Sequence, residues 1–156
     1  MTNIEILDMQ PGDLPEVLGI EQASCPMPWS ETLFYNEIRN PKSMPRVAKI
    51  EGRAAGYLCS SLIVDEGHIL NLAVHPDFRG LGVASALIQD MIDHLRQEGC
   101  RFIFLEVRNS NAAAKKIYEK FNFKFIGIRK NYYATPAEDA VIMSLKLENS
   151  SINPER

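Results

Sequence analysis

The chain has 156 residues, of which 46% are apolar and 24% are charged, and its formal net charge is -3. This length fits one domain, and this composition is that of a folded globular protein and not of a disordered chain. The negative balance argues against a protein that binds nucleic acid directly, because phosphate neutralisation needs a basic face. Apolar runs stay well short of the roughly 18 residues that span a bilayer, and residues 1–13 contain no apolar leader core, so we expect a cytoplasmic protein without a membrane partner.

The cysteine and histidine patterns do not favour a metal site or a disulfide framework. Cys25, Cys59 and Cys100 are odd in number and far apart in the sequence. We expect reduced, mostly buried thiols that serve packing. The three histidines are scattered without carboxylates at ligand spacing, so we predict no metal.

The first half of the chain predicts a strand, two helices and three further strands. Alternating apolar residues predict a strand over 3–9, and Pro11, Gly12 and Asp13 provide a turn before a helix through Leu14–Ile20. The prolines of CPMPWS end that helix, and Ser30 can cap the next one. Period-two patterns separated by EGR and DEG then predict antiparallel strands over 45–50, 54–64 and 68–74.

The second half predicts a parallel crossover followed by a closing hairpin. A helix is expected from Gly80 to Gln97, with an apolar strand over 101–107 after it, and this order makes strands 68–74 and 101–107 parallel neighbours. A helix over 112–121 and strands over 123–133 and 139–147 follow. We therefore expect an α+β domain over residues 1–147, with a mixed, mostly antiparallel sheet of about seven strands around one parallel pair and four helices. The polar residues 148–156 should form a disordered tail.

The segment HPDFRGLGVASALIQ has the features of an anion-binding site. Gly80 and Gly82 follow Arg79 where a helix is expected to begin, and glycines let an anion approach the unpaired amides and positive dipole end of a helix. A tight helix start is the simpler alternative. GLGVAS also resembles a dinucleotide fingerprint, with Glu106 about two dozen residues later, but that fingerprint normally follows its strand directly.

Several segments in the same order resemble one enzyme family. Arg79, Gly82 and Ala84 match R/Q-x-x-G-x-G/A, which is similar to the pyrophosphate-binding motif of the GCN5-related N-acetyltransferases. PWS, LEVRNSNAAAKKIYEKFNF, RKNYY and EDAVIMSL are similar to segments of the bacterial ribosomal-protein-alanine N-acetyltransferases (RimI type). The resemblance covers residues 3–147. It implies the GNAT fold and transfer of acetyl from acetyl-CoA to the N-terminal amine of a protein, in this family a ribosomal protein whose first residue is alanine.

The chemistry of that transfer makes two residues candidates for catalysis. An α-ammonium group has a pKa of about 7.7 to 8.0 and must lose a proton to a base, directly or through water, before its nitrogen attacks. Glu106 lies in an apolar strand, where burial could raise its pKa toward a value that suits a base. Tyr118, two helical turns after Asn111, is the candidate acid that protonates the leaving thiolate. The alternative is a tyrosine that only packs in the core. The resemblance assigns these two roles to the matching glutamate and tyrosine.

The resemblance also implies the binding residues. Leu72, Ala73 and Val74 would offer backbone to the pantetheine arm and to the developing oxyanion, and Asn111 is a helix cap, a cofactor contact or both. The remaining cofactor residues are Arg79, Gly80, Leu81, Gly82, Val83, Ala84 and Ser85. Trp29, Tyr132 and Tyr133 are either walls of the peptide site or packing residues. A lysine or small-molecule amine acetyltransferase and a non-catalytic acetyl-CoA-binding module remain alternatives.

Overall fold

The computed structural model describes residues 2–148, and the predicted tail lies outside them from residue 149 onward. Seven strands and four helices follow one another in the described chain. They are β1 (Glu5–Asp8), α1 (Leu14–Ser24), α2 (Glu31–Arg39), β2 (Ser43–Ile50), β3 (Arg53–Ile63), β4 (Glu66–Val74), α3 (Val83–Gln97), β5 (Phe102–Arg108), α4 (Ala112–Lys120), β6 (Lys124–Ala134) and β7 (Ala137–Lys146). Short 3-10 turns at Pro11–Asp13 and Pro76–Phe78 precede α1 and α3.

The strands form one mixed sheet in the order β1-β2-β3-β4-β5-β7-β6. β4 and β5 are parallel, with Glu66 opposite Phe102 and His68 opposite Phe104, and the pairs β1–β2, β2–β3, β5–β7 and β6–β7 are antiparallel. The predicted seven-stranded sheet, its central parallel pair and the four helices are therefore confirmed.

Residue contacts divide the described chain into two compact units. The first consists of residues 2–61 and 69–91, and the second of residues 62–68 and 92–148. The expectation of one N-acetyltransferase domain over 1–147 stays a prediction.

The core of the first unit lies between α1, α2 and the antiparallel strands. Phe34 of α2 is fully buried and meets Tyr57 of β3 edge-on, with 5.5 Å between ring centroids. Ser30 caps α2 as predicted, since its hydroxyl accepts a hydrogen bond from the Leu33 amide at 3.2 Å. The buried members of this cluster are Met9, Leu14, Val17, Ile20, Phe34, Val47, Ala54, Tyr57, Cys59 and Ala73.

The core of the second unit is built on β5 and β7. Burial alternates along β5, so that Ile103, Leu105 and Val107 point inward while Phe102, Phe104, Glu106 and Arg108 are half-buried on the other face. Phe123, directly after α4, is 1% exposed and belongs to this interior.

The burial of the cysteines and the length of the helices bear on two predictions made from the sequence. Cys59 and Cys100 are buried, as predicted, and burial raises the pKa of both thiols, whereas Cys25 is half-buried. None of the helices over residues 2–148 is long and apolar enough to cross a membrane.

Candidate active site

The glycine-rich loop lies before α3 and not within it. Gly80 has φ of +78° and Gly82 has φ of +87°, so both occupy a region that L side chains rarely adopt. α3 begins at Val83, and the predicted helix start at Gly80 is wrong because a right-handed helix cannot include two residues of positive φ. Gly82 still accepts the first hydrogen bond of the helix, since its carbonyl oxygen accepts from the Ala86 amide at 3.0 Å.

The start of α3 has the properties of an anion site. The first amides of a helix have no acceptor within the helix, and the dipole makes this end positive. The first turn of α3 carries no acidic residue that would repel a phosphate, and Arg79 is exposed beside it. No atom lies within 4 Å of the position that a Cβ would take at Gly80 or Gly82, so this side of the loop backbone is open.

Gly56 of β3, which the sequence analysis missed, allows the end of β4 and the start of α3 to come close to β3. A Cβ at this position would lie 2.8 Å from the Ala73 carbonyl oxygen and 2.9 Å from Cγ1 of Val83. Ala73 is 8% exposed, and its neighbours Leu72 and Val74 are half-buried. Gly56 thus positions two of the predicted cofactor segments at once.

A buried carboxylate, also missed, fixes the loop between α1 and α2. Glu21 is 1% exposed and accepts hydrogen bonds from the Tyr57 hydroxyl, from Nδ2 of Asn71 at 2.9 Å and from the Trp29 amide at 2.9 Å. Three donors from three elements satisfy a charge that would otherwise be costly to bury. The network connects the Trp29 loop to β3 and to the residue before Leu72.

The Trp29 side chain is partly buried and packs against the core of the first unit. Its ring centroid lies 5.1 Å from that of Phe34. This contact accounts for the packing interpretation of Trp29 and leaves its role at a peptide site a prediction.

Glu106 lies near the end of the parallel pairing in the second unit. The paired residues of β4 and β5 run from Glu66–Phe102 to His68–Phe104, and Glu106 follows two residues later on β5. Its side chain is 14% exposed, and its Oε1 lies 2.9 Å from Nε2 of His68. His68 was not among the predicted site residues, although its place in the period-two pattern of β4 could be read from the sequence.

Tyr118 and Asn111 lie on and before α4. Tyr118 is 6% exposed and meets Phe123 edge-on at 5.6 Å, and burial raises the pKa of its phenol. The hydroxyl therefore keeps its proton at neutral pH and can donate a hydrogen bond. Asn111 caps α4, with its side-chain oxygen accepting from the Ala114 amide at 3.1 Å, so the cap interpretation is confirmed.

Tyr132 and Tyr133 lie together on β6, where Arg108 fixes one of them. Their ring centroids are 5.0 Å apart, and the Arg108 guanidinium lies 4.2 Å from the Tyr133 ring centroid. Arg108 also donates to the carbonyls of Thr135 and Pro136, both at 2.9 Å, in the turn between β6 and β7. Tyr132 is 47% exposed, and the Arg129 guanidinium lies 5.4 Å from its ring centroid.

One cavity of the second unit does not have Glu106 or Tyr118 among its lining residues. It has a volume of about 660 Å³ and lies between α4 and the strands β6 and β7, with Ala112, Lys116, Phe125, Val141 and Met143 among its lining residues. Among residues 2–148, no group of three histidine, cysteine, aspartate or glutamate side chains could hold a metal ion.

Comparison with known proteins decides the family. Residues 14–123 match the model of the acetyltransferase (GNAT) family. The chain belongs to this family. The GNAT fold and an acetyl-CoA-dependent N-acetyltransferase activity, both expected from the sequence, are thereby confirmed at the level of the family.

Two relatives and one solved structure cover almost the whole GNAT chain. It is 36% identical over 144 residues to the ribosomal protein bS18-alanine N-acetyltransferase of Escherichia coli K12, which covers 91% of this chain and 97% of the relative. It is 37% identical over 149 residues to the protein of the same name from Salmonella typhimurium, with 94% and 99% covered. The crystal structure of the ribosomal-protein-S18-alanine N-acetyltransferase from Escherichia coli has a TM-score of 0.86 at 33% identity, covering 97% of this chain and 99% of that one.

Proposed function

We propose that this protein is a protein N-α-acetyltransferase that transfers acetyl from acetyl-CoA to the N-terminal amine of a ribosomal protein, with alanine preferred as the first residue. The observation that carries the proposal is the identity of 36% to 37% over more than nine-tenths of both chains to two ribosomal protein bS18-alanine N-acetyltransferases. We place the reaction in the cytoplasm, where ribosomal proteins are made.

Glu106 is the proposed base. The acceptor enters mostly as an ammonium group near neutral pH, and it must lose a proton for its nitrogen to form a bond to the thioester carbon. A carboxylate that is 14% exposed and lies in an apolar strand is shielded from bulk water, which favours its use as a local proton acceptor. Its position near the end of the β4–β5 pairing supports the role, because active sites lie where such a pairing ends.

Tyr118 is the proposed donor to the departing sulfur. The C–S bond breaks as the acetyl group passes to nitrogen, and the negative charge that develops on sulfur needs a proton or a hydrogen bond. The buried phenol of Tyr118 has a raised pKa, so it remains protonated at the pH at which the acceptor amine reacts.

The cofactor residues divide into a pyrophosphate group and a pantetheine group. Residues 79–85 would hold the pyrophosphate through backbone amides and the Arg79 charge, as the positive-φ glycines and the acid-free first turn of α3 allow. Leu72, Ala73 and Val74 would pair with the pantetheine arm and supply an amide to the oxyanion. Asn111 would contact the cofactor in addition to capping α4.

Trp29 of the first unit is a proposed acceptor contact, and so, separately, are Tyr132 and Tyr133 of the second unit. Glu21 would hold the loop of Trp29, and Arg108 would hold Tyr133 through the contacts described above. An aromatic wall accommodates the small apolar side chain of an N-terminal alanine and the peptide bond after it.

A peptide panel tests the function. Peptides that begin with alanine, serine, glycine or methionine, and an acetyl-blocked peptide containing lysine, are incubated with acetyl-CoA and read by mass spectrometry. We expect acetylation of the free N-termini, fastest for alanine, and an unmodified blocked peptide. Preferred acetylation of the blocked peptide would identify a lysine acetyltransferase, and acetyl-CoA binding without transfer to any peptide or small amine would identify a non-catalytic module.

Two conservative substitutions test the catalytic roles. Glu106→Gln and Tyr118→Phe should each lower kcat on the order of 10²-fold at neutral pH, the scale of a lost general base or acid, with acetyl-CoA affinity nearly unchanged. Glu98→Gln and Tyr35→Phe, both at exposed positions, are the matched controls and should retain full activity. Near-normal turnover in Glu106→Gln or Tyr118→Phe would reject that residue's role.

A further inference from the structure

The contact between His68 and Glu106 extends the site toward solvent. Nε2 of His68 lies 2.9 Å from Oε1 of Glu106, and the side chains are 39% and 14% exposed respectively. The more exposed imidazole therefore lies between a shielded carboxylate and water. We propose that His68 is the proton outlet of the enzyme, through which Glu106 releases to solvent the proton that it takes from the acceptor amine.

The need for an outlet follows from the proposed function, on which this inference rests. Each turnover leaves one proton on Glu106, and the carboxylate must lose it before the next amine reacts. Glu106 stands between the buried Leu105 and Val107 on β5, and its partner on β7 is Ile142. These apolar neighbours neither accept a proton nor admit much water, so release through the sheet itself is slow.

The other ionisable groups around the pair are poor alternatives to His68. Tyr133 of β6 is near enough to Glu106 to feel its charge, and burial raises the pKa of Tyr133 to about 12, so its phenol stays protonated. Arg108 of β5 is a permanent cation and cannot accept a proton. Glu66, two residues before His68 on β4, is exposed and already in contact with solvent. Imidazole is the side chain that readily gains and loses a proton between pH 5 and 8.

The relay balances over one cycle. The protonated Glu106 carboxyl donates its proton to the unprotonated Nε2 of neutral His68, which becomes an imidazolium. The imidazolium gives a proton to water, and tautomer exchange through water frees Nε2 again. The carboxylate and the neutral imidazole are restored, and no oxidant or further reactant is consumed.

Two variants separate a relay from a residue that merely holds Glu106 in place. His68→Gln keeps an amide that can hydrogen-bond to the carboxylate but cannot carry a proton, whereas His68→Ala removes both properties. We expect kcat to fall roughly tenfold in both variants, a part of the usual contribution of proton transfer, with the peptide KM and acetyl-CoA affinity unchanged. His94→Gln on α3 is the matched control and should leave kcat unaltered.

Small proton carriers provide the second readout. Adding imidazole to the buffer should raise the kcat of both His68→Ala and His68→Gln toward that of the unmodified enzyme, and should not affect Glu106→Gln. A His68→Gln variant with full kcat would show that the residue only positions Glu106 and would overturn the relay. Loss of kcat in His68→Ala that imidazole does not restore, with normal unfolding in urea, would overturn it as well.

The same assays keep this inference separate from the proposed function. Full turnover in Glu106→Gln would reject the base itself, and no acetyl transfer by the unmodified enzyme would reject the function. Normal kcat in both His68 variants beside an inactive Glu106→Gln would reject the outlet and leave the base in place.

Discussion

Replacing Gly56 by alanine tests how β3 positions the cofactor segments. The new Cβ would lie 2.8 Å from the Ala73 carbonyl oxygen and 2.9 Å from Cγ1 of Val83, whereas ordinary contacts begin at 3.4 Å. The oxygen belongs to the backbone of β4, so it does not move without shifting part of the proposed site, and the Val83 side chain, on the first residue of α3, would have to turn away. Overpacking of this kind costs about 1–3 kcal/mol.

The assay combines urea unfolding with calorimetric titration of acetyl-CoA. We expect the free energy of unfolding to fall by about 1–3 kcal/mol and acetyl-CoA affinity to fall roughly tenfold. Gly19→Ala is the matched control, because no atom lies within 4 Å of its added Cβ and alanine favours the helix by up to about 1 kcal/mol. Unchanged stability and affinity in Gly56→Ala would refute this account of the β3 contact.

Three further predictions concern the glycine loop, the buried carboxylate and a thiol. Gly82→Ala places a side chain at φ of +87°, so it should destabilise the loop by about 1–2 kcal/mol and weaken acetyl-CoA binding in calorimetry. Gly12→Ala is the control, because that position has open space and no positive φ. Equal acetyl-CoA binding in both variants would contradict the loop assignment. Glu21→Ala leaves three donors without their acceptor, so the free energy of unfolding in urea should fall by about 3–5 kcal/mol. Tyr57→Phe removes only one of these hydrogen bonds and should lower it by about 1 kcal/mol. Similar losses in the two variants would argue against the network. Burial raises the pKa of the Cys59 thiol, so Cys59 should resist a thiol reagent in the native state at pH 8. In urea, where the chain is unfolded, Cys59 should react. Rapid modification of Cys59 in the native state would contradict its burial.

The fold was largely predictable because its elements carry local signals. Period-two alternation marked the strands, Ser30 marked the start of α2, and the strand–helix–strand order implied the parallel pair. The start of α3 was placed at about Gly80, three residues before Val83. The sequence alone does not reveal the positive φ of Gly80 and Gly82, which ends the turn before the helix begins.

Residues that carry their own chemistry could be proposed from the sequence, whereas contacts between distant residues could not. Glu106 and Tyr118 were proposed from the proton transfers that the reaction needs and from the family resemblance, and their roles stay predictions. Glu21 was missed because its partners Tyr57 and Asn71 lie 36 and 50 residues away. His68 is 38 residues from Glu106, and only the parallel register of β4 and β5 brings their side chains together.

The central claim of N-α-acetyl transfer is tested most directly by locating the acetyl group on one peptide. The peptide begins with a free alanine, carries an internal lysine and is analysed by tandem mass spectrometry after incubation with acetyl-CoA. Our account predicts the added acetyl mass on the fragments that contain the first residue, and unmodified lysine. Acetyl found on the lysine with the alanine amine left free would contradict it.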